Sequence, residues 1–195
     1  MARIETVTSR IIHQIWGNGN PNKAVLAALL NTNDVLNKKA TVVWPLLLDA
    51  LAKNDLSKTG RPTSAERAVF AALHCYAVYQ QGNQASCGYA DKGHGGKPLF
   101  KALAELRKDP TTRAAIDRRV QNVLGNTNPG SVINAVGHLT SILKSRSSQE
   151  VINFAQLGQD FYYLQFSNES AREVSLKWGQ QYYWQSGKQV AEKGE

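Results

Sequence analysis

The chain has 195 residues, with 23 Lys and Arg against 15 Asp and Glu, a formal charge of +8 at pH 7 and a pI near 9.6. That length suits one compact domain or two small ones and buries a core without staples, while two cysteines exclude a disulfide scaffold and fit a reducing compartment. The longest apolar run, Val42 to Leu48, is far below the ~20 residues of a bilayer span, and Met1 to Thr6 lacks the apolar stretch of a secretion signal, so a soluble, cytoplasmic protein is expected.

Apolar residues recur at helical spacing along the chain, and no period-2 alternation marks a strand. Ile4, Val7, Ile11, Ile12 and Ile15 form one stripe of an amphipathic helix, stopped by Gly17-Asn18-Gly19-Asn20-Pro21. Pro21 is placed to open a short helix to Leu30, because a first-turn proline loses no needed hydrogen bond. Residues Thr41 to Lys53 read as another, with Pro45 in its first turns. Thr63 followed three residues later by Glu66 is a capping box. It opens a helix to about Gln81 with Val69, Leu73 and Tyr76 inward and Gly82 at its end. Gly82 to Lys97 is glycine-rich and aperiodic, a mobile surface loop dividing the chain into two helical halves.

Beyond the loop, Pro98 to Arg107 reads as a helix, and Asp109-Pro110 caps the next through Leu124 with Gly125 at its end. Asn128-Pro129 opens a helix carrying Val132, Val136, Leu139 and Leu143. Ser147 or Ser148, with Glu150 in the first turn, opens one carrying Ile152, Leu157, Phe161 and Leu164. Asn168 starts the last, through Val174, Trp178 and Tyr182, and the chain after Ser186 is a polar tail. The expected fold is all-α, about eight helices in two small bundles, residues 1–90 and 91–195.

Catalytic constellations are missing from the pattern. Asp91 to Pro98 superficially resembles a phosphate cradle, but Asp91 stands at the first glycine position and Pro98 at the Ser/Thr position. His74, Cys75, Cys87 and His94 lack the tight ligand pairs of a zinc site. A Cys87, Asp91 and His94 hydrolase has no activating context. No cluster of carboxylates suits divalent ions. A non-enzyme without metal or cofactor is expected.

Positive charge is concentrated instead. Lys92, Lys97, Lys101, Arg107, Lys108, Arg113, Arg118 and Arg119 face only Glu105, Asp109 and Asp117 in the same stretch, which favours a polyanion groove. Lys97 and Lys101 are expected as neighbours on a helix. Arg118 and Arg119 straddle the face opposite Ile116, Val120, Val123 and Leu124. The last helices add Lys144, Arg146, Arg172 and Lys177 among aromatics, the mixture that holds single-stranded nucleic acid. Phe161 and Trp178 lie on apolar stripes and belong to the core; Tyr162, Tyr183 and Trp184 are candidate stacking platforms.

Four motifs complete the picture: Asp117-Arg118-Arg119-Val120-Gln121; Gly137-His138-Leu139 with Leu143-Lys144; Phe154 to Tyr162; and Val174 to Tyr183. In order and spacing they resemble the CasB family, the small subunit of Cascade, the type I-E CRISPR surveillance complex. Ala72-Leu73-His74 with Gln80-Gln81-Gly82, and Val43-Trp44-Pro45, are similar to the family's N-terminal half. The resemblance implies two helical bundles, no catalysis, and a role in antiviral defence. It implies a pair of copies in the complex, contact with other Cascade subunits and guide RNA, and with target and displaced DNA strands.

Arg118 and Arg119 match the family's paired arginines, Lys144 a basic position, and Arg172 and Lys177 basic positions around the final tryptophan. Thr140 and Ser175 stand where arginine is common, which shifts the expected track toward Lys97 to Arg119. The expected contacts are therefore Lys97, Lys101, Arg107, Lys108, Arg113, Arg118 and Arg119, with Lys144, Arg172 and Lys177. The alternative is a helical protein-interaction scaffold with little nucleic-acid contact; no helix-turn-helix recognition pattern is evident.

Overall fold

The structure, a computed structural model, describes residues 3–88, 96–147 and 150–184. Ser148, the segment from Asp91 to Gly95 with Lys92 and His94, and the tail after Ser186 lie outside the described residues. The chain is all-α. Among the described residues it has nine α-helices: α1 (Arg3–Trp16), α2 (Lys23–Asn31), α3 (Trp44–Ala50), α4 (Ser64–Gln80), α5 (Leu99–Glu105), α6 (Pro110–Gly125), α7 (Pro129–Arg146), α8 (Phe154–Tyr163) and α9 (Asn168–Tyr183).

The periodic stripes become the core. Ile4, Val7, Ile11, Ile12 and Ile15 are all buried on α1, and α1 is followed by three successive left-handed residues, Gly17, Asn18 and Gly19. The capping box is complete: Glu66 N donates to Thr63 Oγ1 at 3.1 Å and Thr63 N to Glu66 Oε2 at 2.7 Å. Glu66 Oε1 also accepts Ser57 N at 3.1 Å, so the cap fixes the preceding loop as well. Helix α4 is buried round most of its circumference and packs against α1, α2, α7 and α8. Gly82, at φ +80°, turns the chain away just beyond it.

Three expected boundaries move. Asn22, not Pro21, opens α2: its side chain accepts Val25 N at 3.2 Å. The expected helix over Thr41 to Lys53 breaks in two. Pro45 lacks the N–H that would reach Thr41 O, so a 3₁₀ turn over Lys38–Val42 ends and α3 restarts at Trp44. Among the described residues neither Ser147 nor Glu150 to Asn153 is helical; α8 begins at Phe154, capped by the Asn153 side chain on Gln156 N at 2.8 Å.

Before that cap the backbone is extended and forms an isolated parallel bridge between Ile152 and Lys97. Lys97 N donates to Val151 O at 2.8 Å, Asn153 N to Lys97 O at 3.0 Å, and Ile152 N to Cys87 O at 2.8 Å. The approach needs Gly96, because a β-carbon there would lie 2.6 Å from Val151 O. The described ends of the Gly82 to Lys97 segment are thus held, and Cys87 is buried.

Helices α5, α6, α7 and α9 pack together, and α8 packs on α1 and α4, so both halves of the chain meet in one hydrophobic cluster. The residues of α8 explain the junction. Gly158 brings α8 to Thr8, whose Oγ1 would lie 2.7 Å from a β-carbon, and Gln159 Oε1 accepts the free N–H of Ile4 at 3.1 Å. Trp178 of α9 is stacked on Phe100 of α5 at 4.6 Å and donates from its indole to Asp160 Oδ2 at 2.8 Å. Both Phe161 and Trp178 are fully buried.

Candidate nucleic-acid interface

Basic side chains serve a polyanion only if they are exposed and not already neutralised. Arg107 meets neither condition. Its Nε donates to Asp117 Oδ1 at 2.7 Å, and its guanidinium lies 5.2 and 5.0 Å from the ring centroids of Tyr182 and Tyr183. The Tyr182 hydroxyl donates to the same Asp117 oxygen at 2.7 Å. Burial pushes Asp117 up, yet the hydrogen bonds from Arg107 and Tyr182 and the charges of Arg107 and Arg113 hold its carboxyl below the ordinary value of 3.8. The Asp117 hydrogen bond raises Arg107 in turn. This assembly joins the 3₁₀ turn after α5 to α6 and α9.

Several other expected contacts have internal partners. Lys97 sits in the β-bridge, not on a helix beside Lys101, and pairs with Glu150 at 2.7 Å. Lys108 pairs with Glu105. Lys177 reaches the buried Asp160 at 2.6 Å; burial raises that carboxyl despite the Lys177 and Trp178 hydrogen bonds. Arg172 donates to Leu124 O at 2.8 Å. Lys144 donates to Gln81 Oε1 at 3.2 Å, and burial lowers its ammonium. Arg113 is exposed, 3.9 Å from Asp117.

Lys101, Arg118 and Arg119 remain. All three are exposed and have no ion-pair partner among the described residues. Arg119 also lines a groove of about 360 Å³ between α6 and α7 with Thr111, Thr112, Ser145 and Arg146. The set of expected contacts leaves out Arg146, although it stands among the cations of the last helices. A signal was present: a link as short as residues 126–128 favours an antiparallel pair, which sets the start of α6 near the end of α7. Asp109, the N-cap of α6, is held low by its hydrogen bonds from Thr111 and by the charge of Arg146.

The aromatic platforms are partly redrawn. Tyr183 and Trp184 are exposed at the end of α9. Tyr162 is half-buried against the core; Tyr163 and Phe166 are exposed in its place. Burial disfavours the thiolate at both cysteines, pushing Cys75 up to about 12 and raising Cys87. Among the described residues no group of three or more His, Cys, Asp or Glu is placed to hold a metal.

A family model described as CRISPR-associated protein Cse2 matches residues 25–183. Among solved structures, CasB from Thermobifida fusca is similar with a TM-score of 0.68 and 18% identity, covering 93% of this chain and 98% of that one. A CRISPR-associated protein of the Cse2 family from Thermus thermophilus has a TM-score of 0.63 and 18% identity, covering 92% and 97%. At that identity the two structures speak for the fold. No curated protein sequence matches the chain.

Proposed function

The chain belongs to the CRISPR-associated Cse2 family and by that membership is a Cascade subunit, and we propose that it is a non-catalytic part of a type I-E complex that holds nucleic-acid backbone. On this reading Lys101, Arg118, Arg119 and Arg146 contact phosphates, and the subunit steadies the displaced DNA strand of the R-loop. It works in the cytoplasm beside guide RNA, target strand and a second copy of itself. Strand exchange is nearly balanced in energy, so a modest backbone grip decides it, and no base reading is required for that task.

The observation that carries the reading is the contrast among the cations. Arg107, Lys97, Lys108 and Lys177 each have a carboxylate partner within the chain, whereas adjacent Arg118 and Arg119 face solvent unpaired among the described residues. Charge reversal of both, Arg118→Glu with Arg119→Glu, tests it. Single-strand binding is expected to weaken at least ~10-fold, with the salt slope falling by about 0.7 for each phosphate no longer held, while circular dichroism is unchanged. Wild-type affinity in the double variant removes the assignment.

A scaffold role has its own support. Leu36, Val42, Trp44 and Leu48 are exposed around the start of α3, an apolar surface suited to a neighbouring subunit. Co-purification that survives loss of Arg118 and Arg119 but not Leu48→Asp would assign assembly to that face.

A further inference from the structure

His74 and His138 stand in two of the motifs, Ala72-Leu73-His74 and Gly137-His138-Leu139, and neither lines the charged groove. The fold brings them together. A cavity of about 390 Å³ between α2, α4 and α7 is lined by Asn33, His74, Asn134, Gly137, His138 and Ser141, and no Lys, Arg, Asp or Glu is among the described residues at its wall.

The chemistry of the cavity is specific. His74 Nδ1 lies 2.7 Å from Leu29 O. A carbonyl only accepts, so Nδ1 carries a proton, and the tautomer with that single proton presents Nε2 as an acceptor. Nε2 is directed at Gly137, where a β-carbon would lie 3.6 Å away. Asn33 Nδ2 donates to Asn134 Oδ1, which leaves Asn33 Oδ1 and Asn134 Nδ2 as an acceptor and a donor without partners among the described residues. His138 is exposed at the rim.

A wall with donors and acceptors but no permanent charge suits a neutral, flat, multiply hydrogen-bonding group better than a phosphate or a metal ion. Helix α7 connects it to the cations: Asn134, Gly137, His138 and Ser141 face the cavity, and Ile142, Ser145 and Arg146 face the groove. At ~1.5 Å per residue the two lie about 10 Å apart along the axis, close enough for one strand to touch both.

We propose that this cavity takes an unstacked nucleobase from the strand whose phosphates lie at Arg119 and Arg146. The Asn33–Asn134 pair and His74 Nε2 meet its hydrogen-bonding edge, and the His138 ring lies against its face. This rests on the nucleic-acid reading above and adds to it a base contact that phosphate binding does not need.

The test uses the full chain and fluorescence anisotropy on single-stranded DNA of one length, either with all its bases or abasic throughout. Wild-type protein is expected to bind the base-bearing strand ~10-fold more tightly. Asn134→Ala with His138→Ala is expected to bring that ratio to near one while leaving the abasic affinity and its salt slope unchanged. Gly137→Ala, which adds a methyl beside Nε2 at a helical position where alanine is favoured, is expected to do the same with no loss of thermal stability. Equal binding of both strands by wild type, or an unchanged ratio in both variants, overturns the base site alone. Binding of neither strand overturns the nucleic-acid reading and the base site with it.

Discussion

Asp117 and Asp160 play the same part at two places in the fold. Each carboxylate ties an aromatic donor to a cation, Tyr182 with Arg107 at Asp117 and Trp178 with Lys177 at Asp160. Their proton affinities move in opposite directions, down at Asp117 and up at Asp160. A carboxyl whose folded pKa is depressed contributes stability above its unfolded pKa, lost as pH falls through the folded one. Asp117→Asn is therefore expected to destabilise the protein at pH 7 by about 2 kcal/mol, the worth of hydrogen bonds to a charged group. The difference from wild type should shrink below the ordinary carboxylate value of 3.8. Asp160 has the opposite sign: protonation below its raised pKa relieves a buried charge, so its ionised form weakens the fold as pH rises through that value. Urea titrations of both Asn variants across this range check the two signs. None of these pairings is legible in the sequence. Spacing sets Asp117 beside Arg113, four residues earlier, while its short ion pair is to Arg107 across a turn, and Lys177 meets Asp160 across two helices. Spacing reports neighbours on one helix; it is silent on which cation a distant carboxylate neutralises.

Three helix starts are legible where a side chain caps its own backbone, although the caps at Asn22 and Asn153 are not. Thr63 with Glu66, Asp109 and Asn128 each open a helix at the expected residue, since the cap bonds are local. The Ile152 bridge is not, because it depends on contact between residues far apart and on the missing side chain of Gly96. The same close approach governs α8. A Gly158→Ala substitution gains helix propensity of ~1 kcal/mol, but its methyl would meet Thr8 Oγ1 at 2.7 Å and Ala72 Cβ at 3.3 Å. Thr8 is itself held by its hydroxyl bond to Ile4 O at 2.8 Å. Overpacking of this kind costs about 1–3 kcal/mol, so the net change is expected to be destabilising, read as a lower urea midpoint at constant m-value. Adding Thr8→Ala should restore much of the stability, a coupling that two independent sites would not show.

At the scale of the molecule the question is whether the halves before and after residue 90 fold separately. Helix α8 is the reason to expect that they do not. It comes from the second half yet buries Phe154, Leu157 and Phe161 in a cluster continuous with α1 and α4 of the first, and the Ile152 bridge bonds Cys87 to the same strand segment. Separating the halves would expose apolar surface on both sides at roughly 25 cal/mol per Å². The expectation is one cooperative transition. The tryptophans allow a direct check, since Trp16 and Trp44 precede the division and Trp178 and Trp184 follow it. Variants that keep only the first pair or only the second, followed by fluorescence and by far-ultraviolet circular dichroism, should give coincident urea midpoints. Midpoints that separate by half would mean two autonomous bundles. They would also make the α6–α7 cations and the His74 cavity, which needs α2 and α4 as well as α7, parts of different folding units.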